Sequence, residues 1–151
     1  MPNIKMNLMV ITGLLMLVIT SCTSGPQPIK LGAEPCAFCK MTISDNRFGA
    51  EIITKKGRIS KFDDTHCVLG FMKANTINSN DIEDIYLVNF DEPHNFVNTK
   101  KAFLLKSDEF HSPMGGNLAV FDEKNKMETA NTKIKNEGVV VTWDELVKEN
   151  K

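Results

Sequence analysis

The sequence predicts an α+β fold in which two small β-β-α-β units form one domain. Three observations lead there. Short β-prone runs separated by polar turns recur through residues 48–90 and again through 96–141. In each half a segment of helical spacing lies between strand candidates. The order of elements recurs while the residues do not, which suits two similar units sharing one core.

The elements follow in order. Phe48 to Thr54 has strand composition, Lys55-Lys56-Gly57 reads as a turn, and Arg58 to Phe62 reads as a second strand. Asp63 or Asp64 is placed to cap a helix running to about Lys73, with Val68, Leu69 and Met72 along one side. Asn75 to Asp81 is polar and loop-like. Ile82 to Phe90 holds a buried-strand run at Ile85-Tyr86-Leu87-Val88. In the second half, Phe96-Val97, Ala102 to Lys106, Leu118 to Phe121 and Val139 to Val141 are strand candidates. Asp122 to Lys135 has weak helical spacing. Thr142-Trp143-Asp144-Glu145 offers a capping box for a last short helix.

Residues 1–21 read as a signal peptide. Lys5 gives the positive start, and an apolar run from Leu8 to Ile19 follows. That run is shorter than the ~20 residues a membrane-spanning helix needs. Ile19-Thr20-Ser21-Cys22 resembles a lipobox, which implies lipidation of Cys22 and cleavage before it. Two or three acyl chains make a stable anchor. Residues 22–29 are then the lipidated terminus and a polar, proline-containing tether, and residues 30–151 are the folded domain. The formal net charge is −1 and no basic block is present, which argues against nucleic acid as a partner. No G-x-S-x-G, H-E-x-x-H or phosphate-binding glycine loop occurs.

With Cys22 assigned to the lipid, Cys36, Cys39 and Cys67 remain. An odd count in an exported chain leaves a thiol unpaired, and metal binding is one reason to keep it. Pro35-Cys36-Ala37-Phe38-Cys39-Lys40-Met41 sets two thiols and a thioether close together. Thiolate and thioether together select Cu(I), whereas zinc seldom takes methionine. On an extended segment Cys39 and Met41 leave the same face. Cys36 falls off that alternation and is a ligand only if a loop brings it near; a structural or outer-sphere role is the stronger reading for it. A Cys36–Cys39 disulfide, a redox pair and a core role for Met41 stay open. In His111-Ser112-Pro113-Met114-Gly115-Gly116, proline and glycines fix a loop that presents Met114. Its alternative is a turn whose methionine plugs a gap. His66 and Cys67 are neighbours about 100° apart on a helix, an awkward pair of ligands for one ion. Cys67 is read as a buried apolar residue and both are kept out of the site. His94 and His111 are left undecided.

Glu34-Pro-Cys-Ala-Phe-Cys-Lys-Met-Thr-Ile43, Phe62-Asp63 after a hairpin, and Ser112-Pro-Met-Gly-Gly-Asn-Leu-Ala-Val-Phe121, behind a lipobox, resemble the NosL family. These are nitrous oxide reductase accessory lipoproteins. The resemblance implies a fold similar to the organomercurial lyase family and a periplasm-facing Cu(I) chaperone rather than an enzyme. It implies delivery of copper for the copper–sulfide centre of nitrous oxide reductase, with the reductase and its ABC-transporter maturation complex as acceptors. It carries the family's Cys-x-Met onto Cys39 and Met41, and its Pro-Met-Gly methionine onto Met114. Two departures are Lys40, where glycine is expected, and Glu34, where aspartate is expected. The competing reading is a lipid-anchored thiol–disulfide oxidoreductase using Cys36 and Cys39. A structural lipoprotein with a Cys36–Cys39 disulfide is the third.

Overall fold

The computed structural model describes residues 25–150. The expected signal peptide over residues 1–21 and the expected lipidation of Cys22 lie outside the described residues. β1 (Ala50–Thr54) and β2 (Ile59–Phe62) form the expected hairpin, with Ala50 opposite Phe62. α1 (Thr65–Lys73) follows, and Asp64 is the residue that caps it. Its buried side carries Cys67, Val68, Leu69 and Phe71, while Met72 is half-buried. The helix face is thus turned slightly from the one expected, because Phe71 stacks edge-on against Phe62 of β2 at 5.2 Å. β3 (Ile82–Val88) then pairs antiparallel with β1.

β4 (Phe96–Asn98) corrects one expectation. Phe96-Val97 is placed by the sequence in the second unit, but it adds to the first sheet, with Val97 opposite Leu87. The chain between them returns through a tight turn at Asp91–His94, closed by His94 N–H donating to Asp91 O at 2.9 Å. So short a connection makes antiparallel neighbours of consecutive strands. The first sheet is therefore ordered β2-β1-β3-β4.

The second unit repeats the first. β5 (Phe103–Lys106) and β6 (Leu118–Phe121) pair antiparallel, α2 (Lys124–Lys133) follows, and β7 (Val139–Val141) returns beside β5. The order β6-β5-β7 matches β2-β1-β3. α3 (Trp143–Glu149) begins at the expected capping box, with Thr142 N–H donating to Glu145 Oε2 at 2.8 Å. One core serves both units: Ile52, Phe62, Val68 and Leu87 pack in the same cluster as Leu104, Leu118, Val120 and Leu146. A second cluster gathers Phe48, Leu105, Phe110 and Phe121 around Met127, with Phe90 against them. Phe90 N–H also donates to Val120 O at 2.7 Å, a backbone bond between the units.

β1 is buried along its whole length, including Glu51. One face meets the core, and the entering chain covers the other. Gln27 N–H donates to Glu51 Oε2 at 2.9 Å, and the Lys61 ammonium lies 3.8 Å from Glu51. Burial pushes the Glu51 carboxyl up despite these partners. Lys61 also reaches Glu34 at 2.9 Å and Pro28 O at 2.7 Å, so it clasps residues 28–34 to β2.

The junction that matters most for the site is Asp64. Its Oδ1 accepts from His66 N–H at 2.9 Å, capping α1. Its Oδ2 accepts from Ser112 Oγ at 2.5 Å and from Met114 N–H at 3.0 Å. Gly116 must be glycine, because a Cβ there would run into Asp64 Oδ1. Asp64 is 1% exposed, so these bonds meet little competition from water. Losing the cap costs about 1 kcal/mol and each bond to a charged group about 1.5–3 kcal/mol. Asp64→Ala is expected to lower the unfolding free energy by at least about 3 kcal/mol in urea titrations, and Asp64→Asn by less. A loss under about 1 kcal/mol for the alanine variant would contradict the role given to this carboxyl.

Candidate metal centre

Cys36 to Met41 form a closed loop at the base of which Pro35 bridges Thr42. Cys36 N–H donates to Met41 O at 2.8 Å, and Lys40 N–H to Cys36 O at 3.1 Å. Ala37 N–H donates to Lys61 O at 2.8 Å, pinning the loop to β2. Lys40 closes the turn at φ 68°, the left-handed region that favours glycine. The expected glycine thus has a backbone reason, and lysine stands there with its ammonium donating to Ala37 O at 2.6 Å. The same φ corrects the extended segment expected at Cys39–Met41, since alternation of side chains fails at a left-handed residue.

Phe38 anchors the loop on α1. Its ring lies over Gly70, where a Cβ would come within 2.6 Å of Cε1. The loop therefore rests on the helix that bears Cys67. The sulfurs of Cys36, Cys39 and Cys67 all lie within 4.8 Å of one another. All three are free thiols. Cys36 and Cys67 are fully buried and Cys39 is half-buried. Three thiolates on one ion at about 2.3 Å stand about 4 Å apart. The observed spacing needs a contraction of under about 1 Å per sulfur, within the play of side-chain torsions.

The electrostatics of the three thiols differ. Cys36 is held down to about 4, first by the Cys67 thiol donating to it, then by backbone N–H groups of Asp63, Phe38 and Cys39 aimed at its sulfur. Cys67 is pushed up, because its proton is engaged by Cys36 and because it is buried. Burial also pushes Cys39 up, against a bond from Met41 N–H. Of the three, Cys36 is thus the thiol that most readily gives up its proton to a soft cation.

Met114 lies in the loop fastened to Asp64, the residue that caps the Cys67 helix. Its side chain is half-buried and packs on the core cluster that includes Cys36 and Cys67. Met41 is 58% exposed, more open than any of the thiols. Of the sulfur residues singled out in the sequence, the structure gathers Cys36 and Cys39. It packs Met114 on the shared hydrophobic core and leaves Met41 at the surface.

Cys67 is the residue that sequence reasoning set aside. Its burial was expected, but its neighbours were not. Sequence adjacency pairs it only with His66, whereas its partners come from 31 and 28 positions upstream, as Cys36 and Cys39. The odd thiol count was the signal that pointed to it. The histidines stay apart from the cluster. His66 and His111 are exposed, and His94 is bonded to Asn89 O at 3.0 Å and to Glu92 at 3.2 Å. Among the described residues the three thiols are the one grouping of metal-capable Cys, His, Asp or Glu side chains. The Cys36–Cys39 stretch is a turn, not the start of a helix, and so lacks the helix N-terminus that activates a thioredoxin-type pair.

The NosL family model matches residues 28–150. Among solved structures, the chain is similar to the crystal structure of the copper chaperone NosL from Shewanella denitrificans. The two are 19% identical with a TM-score of 0.67, over 80% of this chain and 94% of that one. That likeness bears out the α+β fold with two small sheets. Comparison with curated protein sequences finds no match.

The burial pattern makes a direct test. In the reduced native chain an alkylating reagent followed by peptide mapping is expected to label Cys39 well ahead of Cys36 and Cys67. All three are expected to react at similar rates once the chain is denatured. Equal native labelling of Cys36 would contradict its enclosure, since a low-pKa thiol reacts first wherever reagent reaches it.

Proposed function

The chain belongs to the NosL family, and from that premise we propose that it is a Cu(I) carrier that takes copper on sulfur and hands it to another protein. One observation carries the reading: three free thiols share a pocket, and one of them, Cys39, is half-open on the same loop as the exposed Met41. The donor set fits the cargo. Soft thiolates and thioethers favour Cu(I), which accepts two or three ligands. Zinc asks for four, and no histidine or further cysteine completes a tetrahedron among the described residues.

The ligands proposed for transfer are Cys39, Met41 and Met114, with Cys36 behind them. Cys39 binds as thiolate, since the metal displaces its proton. Met41 and Met114 are neutral donors whose affinity does not change with pH. The exposure of Met41 leaves room for an incoming ligand to add before an old one leaves. That is how a carrier binds tightly and still releases quickly. The role is that of a carrier, not of an enzyme.

The finer assignments rest on the family and on the leader. Residues 1–21 direct export, Cys22 carries the lipid, residues 22–29 tether the domain, and residues 30–151 bind copper facing the periplasm. The acceptors are nitrous oxide reductase, for its copper–sulfide centre, and the ABC-transporter complex that matures it.

Titration of the reduced chain with Cu(I) against a chromophoric chelator tests the carrier. A one-to-one complex is expected, lost in Cys39→Ser and slower to release its copper to the chelator in Met41→Leu/Met114→Leu, a substitution that keeps side-chain volume. Binding unchanged by Cys39→Ser would exclude the assigned site. For the acceptor, a strain lacking this chain is expected to make nitrous oxide reductase deficient in its copper–sulfide centre. A fully loaded reductase in that strain would remove the reductase from the proposal and leave the carrier.

A further inference from the structure

The transfer ligands account for Cys39, set Cys36 behind it, and leave the buried thiol of Cys67 without work. Cys36 and Cys67 are both 0% exposed. Neither is paired in a disulfide, and both sulfurs lie within 4.8 Å of Cys39. Packing alone gives no reason for three sulfurs from two separate stretches, the loop at 36–41 and α1, to meet at one point. Cys67 lies in the first turn of α1, a nine-residue helix whose positive dipole end favours negative charge.

These features suit a site with excess negative charge. One Cu(I) bound by three thiolates carries a net charge of −2, and such a charge is costly in a buried place unless N–H dipoles face it. The N-terminal end of α1, in whose first turn Cys67 stands, faces that charge. We propose that Cys36, Cys39 and Cys67 form an inner three-thiolate seat for Cu(I), separate from the outer seat of Cys39, Met41 and Met114, with Cys39 common to both. This rests on the carrier reading and extends it.

Loading the inner seat forms three copper–sulfur bonds, and the displaced thiol protons pass to solvent; copper stays Cu(I) throughout. The inner seat retains the ion, because neither Cys36 nor Cys67 is open to a competing ligand. Handover begins when Met41 and Met114 replace Cys36 and Cys67 while Cys39 stays bound. At no point is the ion free, and the half-open Cys39 is the pivot between a closed and an open coordination.

The test uses the reduced chain loaded with one equivalent of Cu(I), and reads affinity by chelator competition and sulfur count by X-ray absorption. Losing an outer-sphere partner costs roughly 10–100-fold in metal affinity. Cys67→Ala is therefore expected to weaken Cu(I) binding by more than about 100-fold while the residual binding still depends on Cys39. In Met41→Leu/Met114→Leu three sulfurs are expected around copper, since the inner seat is intact. A smaller loss in Cys67→Ala, or two sulfurs in the methionine variant, would overturn the inner seat and leave the carrier standing. Should Cys67→Ala fail to fold, the sulfur count in the methionine variant decides alone. A parent chain that binds no Cu(I) would instead bring down the carrier reading itself.

Discussion

Asp64 is a buried carboxyl asked to serve two masters. One oxygen holds the N-terminus of α1, and the other holds the hydroxyl of Ser112 and the amide of Met114. The first fixes the helix that bears Cys67, and the second fixes the loop that bears Met114. These two stretches come from different β-β-α-β units and are far apart in sequence. A buried acid cannot be left half-satisfied without large cost, so its bonds favour one relative placement of the units. The glycine at 116 is the steric counterpart, since any side chain there would evict the carboxyl. The sulfur-bearing elements are brought together by polar chemistry at this joint, on a platform made by the shared apolar core.

The loop from Cys36 to Met41 is fastened by different means. It rests on α1 through Phe38 over Gly70 and on β2 through Ala37 and Lys61. The loop is tight because Lys40 accepts a left-handed turn. Left-handed backbone costs a non-glycine residue about 1–2 kcal/mol. The bond from the lysine ammonium to Ala37 O offsets some of that.

Much of this was legible in the residues. The hairpin, the helix capped by Asp64, the repeat of element order and the final capping box follow from short-range signals: turn residues, caps and periodicity. The sulfur motifs were legible too, because thiol and thioether in one short stretch are unusual. What escaped was long-range. Phe96-Val97 reads as a strand in isolation, and nothing local says which sheet it joins. Cys67 reads as a buried helical residue, which it is. That it meets Cys36 and Cys39 depends on how a loop folds back over the helix, and pairing of this kind leaves no mark in local periodicity. The shared face expected of Cys39 and Met41 failed for a local reason, the positive φ at Lys40, which lysine does not advertise.

The most direct test is to find the ion. A crystal of the reduced chain loaded with one Cu(I) gives an anomalous signal at the copper edge that locates the metal without reference to any assumed ligand. The signal is expected within bonding distance of the Cys39 sulfur, with the remaining ligands drawn from Cys36, Cys67, Met41 and Met114. Copper at a histidine such as His66 or His111, or no ordered copper at all, would contradict a carrier built on these sulfurs.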